Sequence, residues 1–236
     1  MLHIVFIVLQ RYVTVQFKLN LLGYEQTDLD YQLGVVGDKI KKLKELINNS
    51  KNIVIIPHTS PDGDAIGSCL ALFNILKVIN KPSNIISPNK APEFLNWTPG
   101  FDNIIHYDID KEKCKKILSN SDLIFTLDFN DLNRIGELKE FVIKSNSQTV
   151  MIDHHQNPKD YADLVFSNSK IGSTCELLYE IFVSIGFESM INKDISSCLY
   201  LGMMTDTGSF QYSSCLLYTS DAADDSLRVD LGGRRI

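Results

Sequence analysis

Thr149-Val150-Met151-Ile152-Asp153-His154-His155 joins a short, largely apolar run to an acid and two imidazoles. An apolar run of this length is typical of a buried strand. In an open α/β sheet, ligands bind outside the carboxyl ends of the strands, which is where these three polar residues would lie. A polar turn after the strand is the simpler interpretation unless other strands bring partners to the same edge.

Further apolar runs predict the other strands of such a sheet. Ile53-Val54-Ile55-Ile56 contains no polar position, as expected of a strand covered on both faces. Leu123-Ile124-Phe125-Thr126-Leu127 predicts a second buried strand, and shorter runs at 85–86, 104–105 and 164–166 indicate three more.

Helical patterns separate these strands, over residues 38–49, 70–79, 111–119, 137–145, 173–185 and 194–204. Asp38 and Asp194 are the expected N-caps of the first and last helices. Residues 13–21 alternate with the period of a strand. Because strands and helices alternate, we predict an α/β fold with a doubly wound, mainly parallel sheet flanked by helices.

The composition is that of a globular protein able to bury a sizeable core, with 236 residues and 44% hydrophobic content. A net charge of −6 argues against a broad basic surface that would grip long duplex nucleic acid. No apolar run approaches the roughly 18 residues of a membrane span. The 5 cysteines form no CxxC pair, so we expect a protein of the reducing cytoplasm, without a membrane partner.

Acids and imidazoles follow three predicted strands and one predicted helix: His58, Asp62, Asp64, Asp128, Asp153, His154, His155 and Asp206. Carboxylates mixed with neutral imidazoles suit Mn²⁺ or a similar divalent ion. So many carboxylates would repel one another and take up protons unless cations bound among them. Two divalent ions roughly 3.5–4 Å apart can activate water and bind the oxygens of a displacement at phosphorus. The pattern therefore indicates hydrolysis of a phosphoester or phosphoanhydride.

Four motifs in this order resemble those of the DHH phosphoesterase superfamily, most closely its bacterial nanoRNase/pAp phosphatases. They are His58-x-x-Pro61-Asp62-Gly63-Asp64-Ala65-Ile66-Gly67-Ser68, Asp128 followed by Arg134-x-Gly136, Asp153-His154-His155, and Gly202-Met203-Met204-Thr205-Asp206-Thr207-Gly208-Ser209-Phe210. The resemblance implies a Mn²⁺-dependent enzyme that hydrolyses short oligoribonucleotides, 3′-phosphoadenosine 5′-phosphate (pAp), or both. Short oligonucleotides or nucleotide phosphates are the implied partners, and a homodimer is left open.

The resemblance also implies a role for each residue. One ion is expected on His58, Asp62 and Asp128, and the other on Asp64, Asp128, His154 and Asp206, with Mg²⁺ or Co²⁺ as alternatives to Mn²⁺. Asp153 would orient a metal-ligating imidazole. His155 would face the scissile phosphate, and Arg134 is a candidate phosphate contact.

Two other functions share these motifs, namely a cyclic-dinucleotide phosphodiesterase and a manganese pyrophosphatase. A different class of function, an inactive nucleotide-binding or regulatory module, is also retained. Members of the resembled family continue into a smaller substrate-binding domain with a GGGH motif, and residues 214–236 do not carry that motif. We therefore expect a catalytic domain over residues 38–213, a non-native extension over 1–37 and a non-native, irregular tail over 214–236.

Overall fold

A computed structural model describes the backbone of residues 26–209 and the side chains of residues 37–209. Its centre is a sheet of six parallel strands, in the order β3-β2-β1-β4-β5-β6. The strands are β1 Ile53–Pro57, β2 Ser83–Ser87, β3 Ile104–His106, β4 Leu123–Leu127, β5 Gln148–Asp153 and β6 Leu164–Ser167. The predicted α/β fold and all six of its strands between residues 53 and 166 are thereby confirmed.

Helices cover both faces of this sheet. They are α1 Gln26–Asn49, α2 Gly63–Val78, α3 Lys111–Ser119, α4 Leu138–Lys144, α5 Thr174–Ile185 and α6 Lys193–Asp206. One buried core joins the sheet to α1, α2, α5 and α6, and a second joins its other face to α3 and α4. Apolar side chains point alternately to the two cores along β1 and β4, which explains why those strands carry apolar residues on both faces.

The strand order reverses between β1 and β4, the two central strands. The chain leaves β1 toward β2 on one side and later leaves β4 toward β5 on the other. Loops that follow the two strands therefore diverge and open a crevice at the carboxyl edge, the usual ligand site of a doubly wound sheet.

Two predicted helix caps are wrong. The first helix runs from Gln26 through Asp38 without a break, so Asp38 lies inside it. The last helix is capped by Asn192, whose side chain accepts a hydrogen bond from the backbone N–H of Ile195 at 3.0 Å. Asp194 lies instead in the first helical turn, where its negative charge is favoured by the helix dipole.

The predicted strand over 13–21 and the tail over 214–236 lie outside the described residues. Among the helices that the structure describes, none has the length and apolar composition needed to cross a bilayer.

Candidate metal centre

The loop after β1 carries two of the predicted ligands. The Nδ1 atom of His58 lies 2.8 Å from the carbonyl oxygen of Thr59, so Nδ1 carries the proton and Nε2 is left as a ligand. That Nε2 lies 3.8 Å from Oδ2 of Asp62. The other oxygen of Asp62 caps α2 by accepting hydrogen bonds from the N–H groups of Asp64 and Ala65. Asp62 therefore starts a helix with one oxygen and faces His58 with the other.

Asp128 lies directly after β4 and faces two different imidazoles. Its side chain is almost fully buried, and its backbone adopts a left-handed conformation with φ of 66°, which Asp tolerates better than most residues. The Oδ2 atom lies 3.6 Å from Nε2 of His58. The Oδ1 atom lies 3.7 Å from Nε2 of His154. One carboxylate thus joins the residues of the β1 loop to those that follow β5.

Asp64 projects from the first turn of α2 into the fully buried centre of the cluster. Its Oδ2 accepts a hydrogen bond from the N–H of Thr174 at 2.6 Å, and its Oδ1 accepts one from the N–H of Cys175 at 2.9 Å. Space for this carboxylate depends on Gly202 of α6, because a Cβ atom there would clash with Asp64 Oδ1 and with Cys175 Sγ.

The Nε2 atom of His154 is buried and has no hydrogen-bond partner of acceptable geometry among the described residues. It lies 3.0 Å from Oδ2 of Asp206, 3.7 Å from Asp128 and 3.9 Å from Asp64. The Asp206 distance alone would allow a hydrogen bond, but the angles do not, so the contact is one of charge and proximity. The opposite ring atom, Nδ1, faces the carbonyl oxygen of Ile171 at 3.4 Å.

Asp153 contacts His155 and not His154. Its Oδ1 lies 2.7 Å from Nδ1 of His155, and its Oδ2 accepts the backbone N–H of the same residue at 3.0 Å. The expectation that Asp153 orients a metal-ligating imidazole is therefore not met for His154, the adjacent histidine predicted to be a ligand. An acidic side chain that bonds to the N–H two residues later forms a tight local turn, and this turn brings the ring of His155 to Asp153.

The concentration of acids shifts the protonation of the whole cluster. Burial, together with the charges of Asp128 and Asp206, raises the pKa of Asp64 well above its usual value. Burial also raises the pKa of Asp128, although His58 opposes this rise. Burial lowers the pKa of His154, but its proximity to Asp206, Asp64 and Asp128 outweighs burial and raises that pKa to about 9. In the absence of cations the cluster therefore takes up protons.

The residues fit divalent metal ions. Ligand atoms lie close together in three overlapping groups, which are His58 with Asp62 and Asp128, Asp64 with His154 and Asp206, and Asp128 with His154 and His155. Most separations between the imidazole nitrogens and the carboxylates, 3.6 to 3.9 Å, are too long for hydrogen bonds. Two ligands about 2.1 Å from one ion can be about 4 Å apart, so the same separations suit a shared cation. The buried Nε2 of His154, without a hydrogen-bond partner among described residues, is the strongest sign of such an ion.

Arg134 lies close to this edge, and its backbone carbonyl accepts a hydrogen bond from the N–H of Thr59 at 2.7 Å. Its side chain is exposed and forms no ion pair with any residue that the structure describes. Gly136 follows with φ of 55° and ψ of −132°, a conformation that essentially only glycine adopts. This glycine lets the chain turn sharply from the Arg134 loop toward α4.

Comparison with known proteins identifies the family. The family model described as the DHH family, N-terminal domain, matches residues 52–203. The chain belongs to the DHH family. The match begins just before β1 and ends within α6, so it includes all the predicted metal ligands except Asp206.

This DHH domain is similar in sequence to named enzymes of two kinds. The bifunctional oligoribonuclease and PAP phosphatase NrnA of Mycoplasma genitalium is 31% identical over 180 residues, covering 73% of this chain and 52% of that protein. The cyclic-di-AMP phosphodiesterase GdpP of Bacillus subtilis is 26% identical over 176 residues, covering 71% of this chain and 26% of GdpP.

A solved structure supports the same fold. An exopolyphosphatase-related protein from Bacteroides fragilis is 42% identical with a TM-score of 0.74, covering 75% of this chain and 52% of that one. The chain therefore spans about half the length of this protein and of the Mycoplasma relative.

Thr174 was not singled out from the sequence, and Gly202 was named there only as the first residue of the fourth motif, without a role. Thr174 contacts both Asp64 and Asp128, and Gly202 makes room for Asp64. The start of α5 was predictable from Ser173, whose side chain caps the helix by accepting the N–H of Glu176. Contact between that helix start and the metal ligands depends on tertiary packing, for which no local pattern gives a signal.

Proposed function

We propose that this DHH domain is a phosphoester hydrolase that uses two divalent metal ions. The observation that carries the proposal is the position of Asp128, whose two carboxylate oxygens face two different groups of ligands. A carboxylate in this position can bind one ion through each oxygen. Paired ions are suited to displacements at phosphorus, because they lower the pKa of water and neutralise charge on phosphate oxygens.

The contacts among these side chains support two ligand sets. His58, Asp62 and Asp128 would hold one ion, and Asp64, Asp128, His154 and Asp206 the other. We propose Mn²⁺ as the native ion, with Mg²⁺ or Co²⁺ as substitutes, since mixed carboxylate and imidazole ligands suit Mn²⁺.

His155 is the proposed catalytic contact to the scissile phosphate, and Asp153 is its positioning residue. The hydrogen bond that the His155 imidazole donates to the Asp153 carboxylate raises the pKa of His155, although burial opposes the rise. A cationic imidazole attracts the phosphate and stabilises the charge that develops during displacement. Arg134 would bind a further phosphate oxygen, because its guanidinium is exposed and matches phosphate geometry.

We propose short oligoribonucleotides and pAp as substrates in the cytoplasm. The oligoribonuclease and PAP phosphatase from Mycoplasma supports this substrate class by its similarity. The net charge of −6 also favours small substrates held at a local cationic site over long duplexes bound across a basic surface.

A cyclic dinucleotide is the second candidate substrate, because the cyclic-di-AMP phosphodiesterase from Bacillus subtilis is also similar. Cyclic dinucleotides and short oligoribonucleotides both present a phosphodiester to the metal centre, whereas pAp presents a phosphomonoester. Residues beyond the metal ligands would select among these substrates.

The test is a Mn²⁺-supplemented assay of the full chain on pAp, a diribonucleotide, cyclic di-AMP and pyrophosphate. We expect the full chain to hydrolyse pAp or the diribonucleotide. Asp128→Asn should lower the rate of hydrolysis by at least about 100-fold, because substitution of a residue that only supports a metal ligand already costs roughly 10- to 100-fold. Asp102→Asn, an exposed acid in the turn before β3, is the matched control and should retain the wild-type rate.

Each alternative has its own outcome in this assay. Faster hydrolysis of cyclic di-AMP would favour the second candidate, and faster hydrolysis of pyrophosphate would favour a pyrophosphatase. Binding of nucleotides without hydrolysis of any of the four substrates would contradict the proposed enzyme and favour an inactive binding module. Equal rates in wild type and Asp128→Asn would refute the role given to Asp128.

A further inference from the structure

Thr174, the first residue of α5, contacts two acids that come from different parts of the sheet. Its hydroxyl donates a hydrogen bond to Oδ1 of Asp128 at 2.8 Å, and its backbone N–H donates one to Oδ2 of Asp64 at 2.6 Å. All three side chains are buried to within 1% of full burial. In sequence, Thr174 is 110 residues from Asp64 and 46 from Asp128.

The first turn of α5 has three N–H groups with no partner inside the helix, and all three are satisfied. The N–H groups of Thr174 and Cys175 bind the two oxygens of Asp64, and that of Glu176 binds the side chain of Ser173. This end of a helix carries partial positive charge, which favours an ionised Asp64 beside it. The backbone N–H groups of α5 therefore bind Asp64, and the hydroxyl of Thr174 is free to donate its hydrogen bond to Asp128.

For Asp128, the Thr174 hydroxyl is the shortest side-chain contact that the structure describes. The imidazole nitrogens of His58, His154 and His155 lie 3.6 to 3.9 Å from its oxygens, beyond hydrogen-bond distance. A donor at 2.8 Å limits rotation of the carboxylate about its last bond. The hydroxyl therefore determines where the remaining lone pairs of Asp128 point.

We propose that Thr174 is a positioning residue for the metal centre. Its hydroxyl would hold Asp128 in the orientation that lets the two carboxylate oxygens bind two ions, and its backbone N–H would hold Asp64. The inference rests on the proposed two-metal function and names a residue that serves it. Outer residues that hold metal ligands typically change metal affinity by roughly 10- to 100-fold when they are substituted.

The test compares Mn²⁺ affinity, measured by isothermal titration calorimetry, in Thr174→Val and Thr174→Ser. Valine has nearly the shape of threonine and lacks the donor, so we expect it to weaken Mn²⁺ binding by roughly 10- to 100-fold. Serine keeps the donor and should restore affinity close to that of the wild type.

Thr126→Val is the matched control, since Thr126 is also fully buried and its hydroxyl lies 2.9 Å from that of Tyr161. This variant removes a buried hydroxyl two residues from Asp128 without touching the centre. We expect it to lower the thermal stability of the metal-free protein and to leave Mn²⁺ affinity unchanged.

The outcomes separate this inference from the proposed function. A wild-type chain that binds no Mn²⁺ would refute the metal centre itself. Mn²⁺ binding that is equally strong in wild type and Thr174→Val, or equally weakened in Thr126→Val, would overturn only the role of Thr174. If Thr174→Val does not fold, Thr174→Ala removes the same donor without added bulk. If Thr174→Val and Thr174→Ala both fail to fold while Thr126→Val folds, the hydroxyl of Thr174 is required for folding, and the proposal is overturned.

Discussion

The Oδ2 atom of Asp128 lies 3.6 Å from Nε2 of His58, across the two central strands of the sheet. His58 follows β1 and Asp128 follows β4, which are parallel neighbours in register from Ile53 with Leu123 to Pro57 with Leu127. The strand pairing alone therefore brings the two side chains to the same point of the crevice. The metal centre that we propose is built around this contact.

Binding of Mn²⁺ should release protons below pH 9. The pKa of His154 in the metal-free protein is raised to about 9, so its imidazole carries a proton at neutral pH that a metal ion must displace. Apparent affinity should therefore rise between pH 7 and 9, by about tenfold per pH unit for each proton released. Calorimetry in two buffers of different ionisation enthalpy measures the release directly. His154→Gln should release fewer protons, and an affinity independent of pH over this range would contradict the prediction.

Replacement of Asp153 by asparagine should change the pH profile of hydrolysis. The pKa of His155 is raised because its imidazole donates a hydrogen bond to the Asp153 carboxylate, so loss of the charge on Asp153 should lower that pKa. The cationic imidazole would then be lost at lower pH, so the alkaline limb of the pH–rate profile should move to lower pH. His155→Gln is the companion variant, in which that limb should be absent. If the alkaline limb lies at the same pH in wild type and Asp153→Asn, Asp153 does not influence the titration of the catalytic imidazole, and its positioning role is refuted.

Gly202→Ala should destabilise the protein and weaken metal binding together. The added methyl group would clash with Asp64 Oδ1 and Cys175 Sγ, and forced repacking of this kind typically costs about 1–3 kcal/mol. Urea denaturation measures the stability, and Mn²⁺ titration measures the effect on Asp64. Gly37→Ala is the matched control in α1, because a Cβ atom there meets nothing within 4 Å. It should raise stability by roughly 0.5–1 kcal/mol, and a similar gain in Gly202→Ala would refute the packing argument.

The sheet and the position of the site could be predicted from the sequence because both depend on short-range patterns. β1, β4 and β5 are apolar runs followed at once by acids and imidazoles, and parallel strands bring their carboxyl ends to one edge. Helix starts were harder to predict where two good caps lie close together. Asn192 and Asp194 are two residues apart, and only tertiary packing decides which of them ends outside the helix.

The contacts within the site could not be predicted in the same way. Asp153 precedes two imidazoles, and the turn that follows β5 decides that it bonds to His155. The hydrogen bond from Thr174 to Asp128 joins residues far apart in the chain, and no spacing rule of a helix or strand relates them. Such contacts result from how α5 docks against the edge of the sheet.

The number and coupling of bound Mn²⁺ ions test the central claim most directly. Calorimetry should count the ions in the full chain, and electron paramagnetic resonance should detect magnetic coupling between them, with Asp102→Asn as the control. We predict two ions and a coupled signal in the wild type and in Asp102→Asn, and loss of the coupled signal in Asp128→Asn. A single ion in the wild type, or an unchanged coupled signal in Asp128→Asn, would contradict a centre in which Asp128 joins two metals.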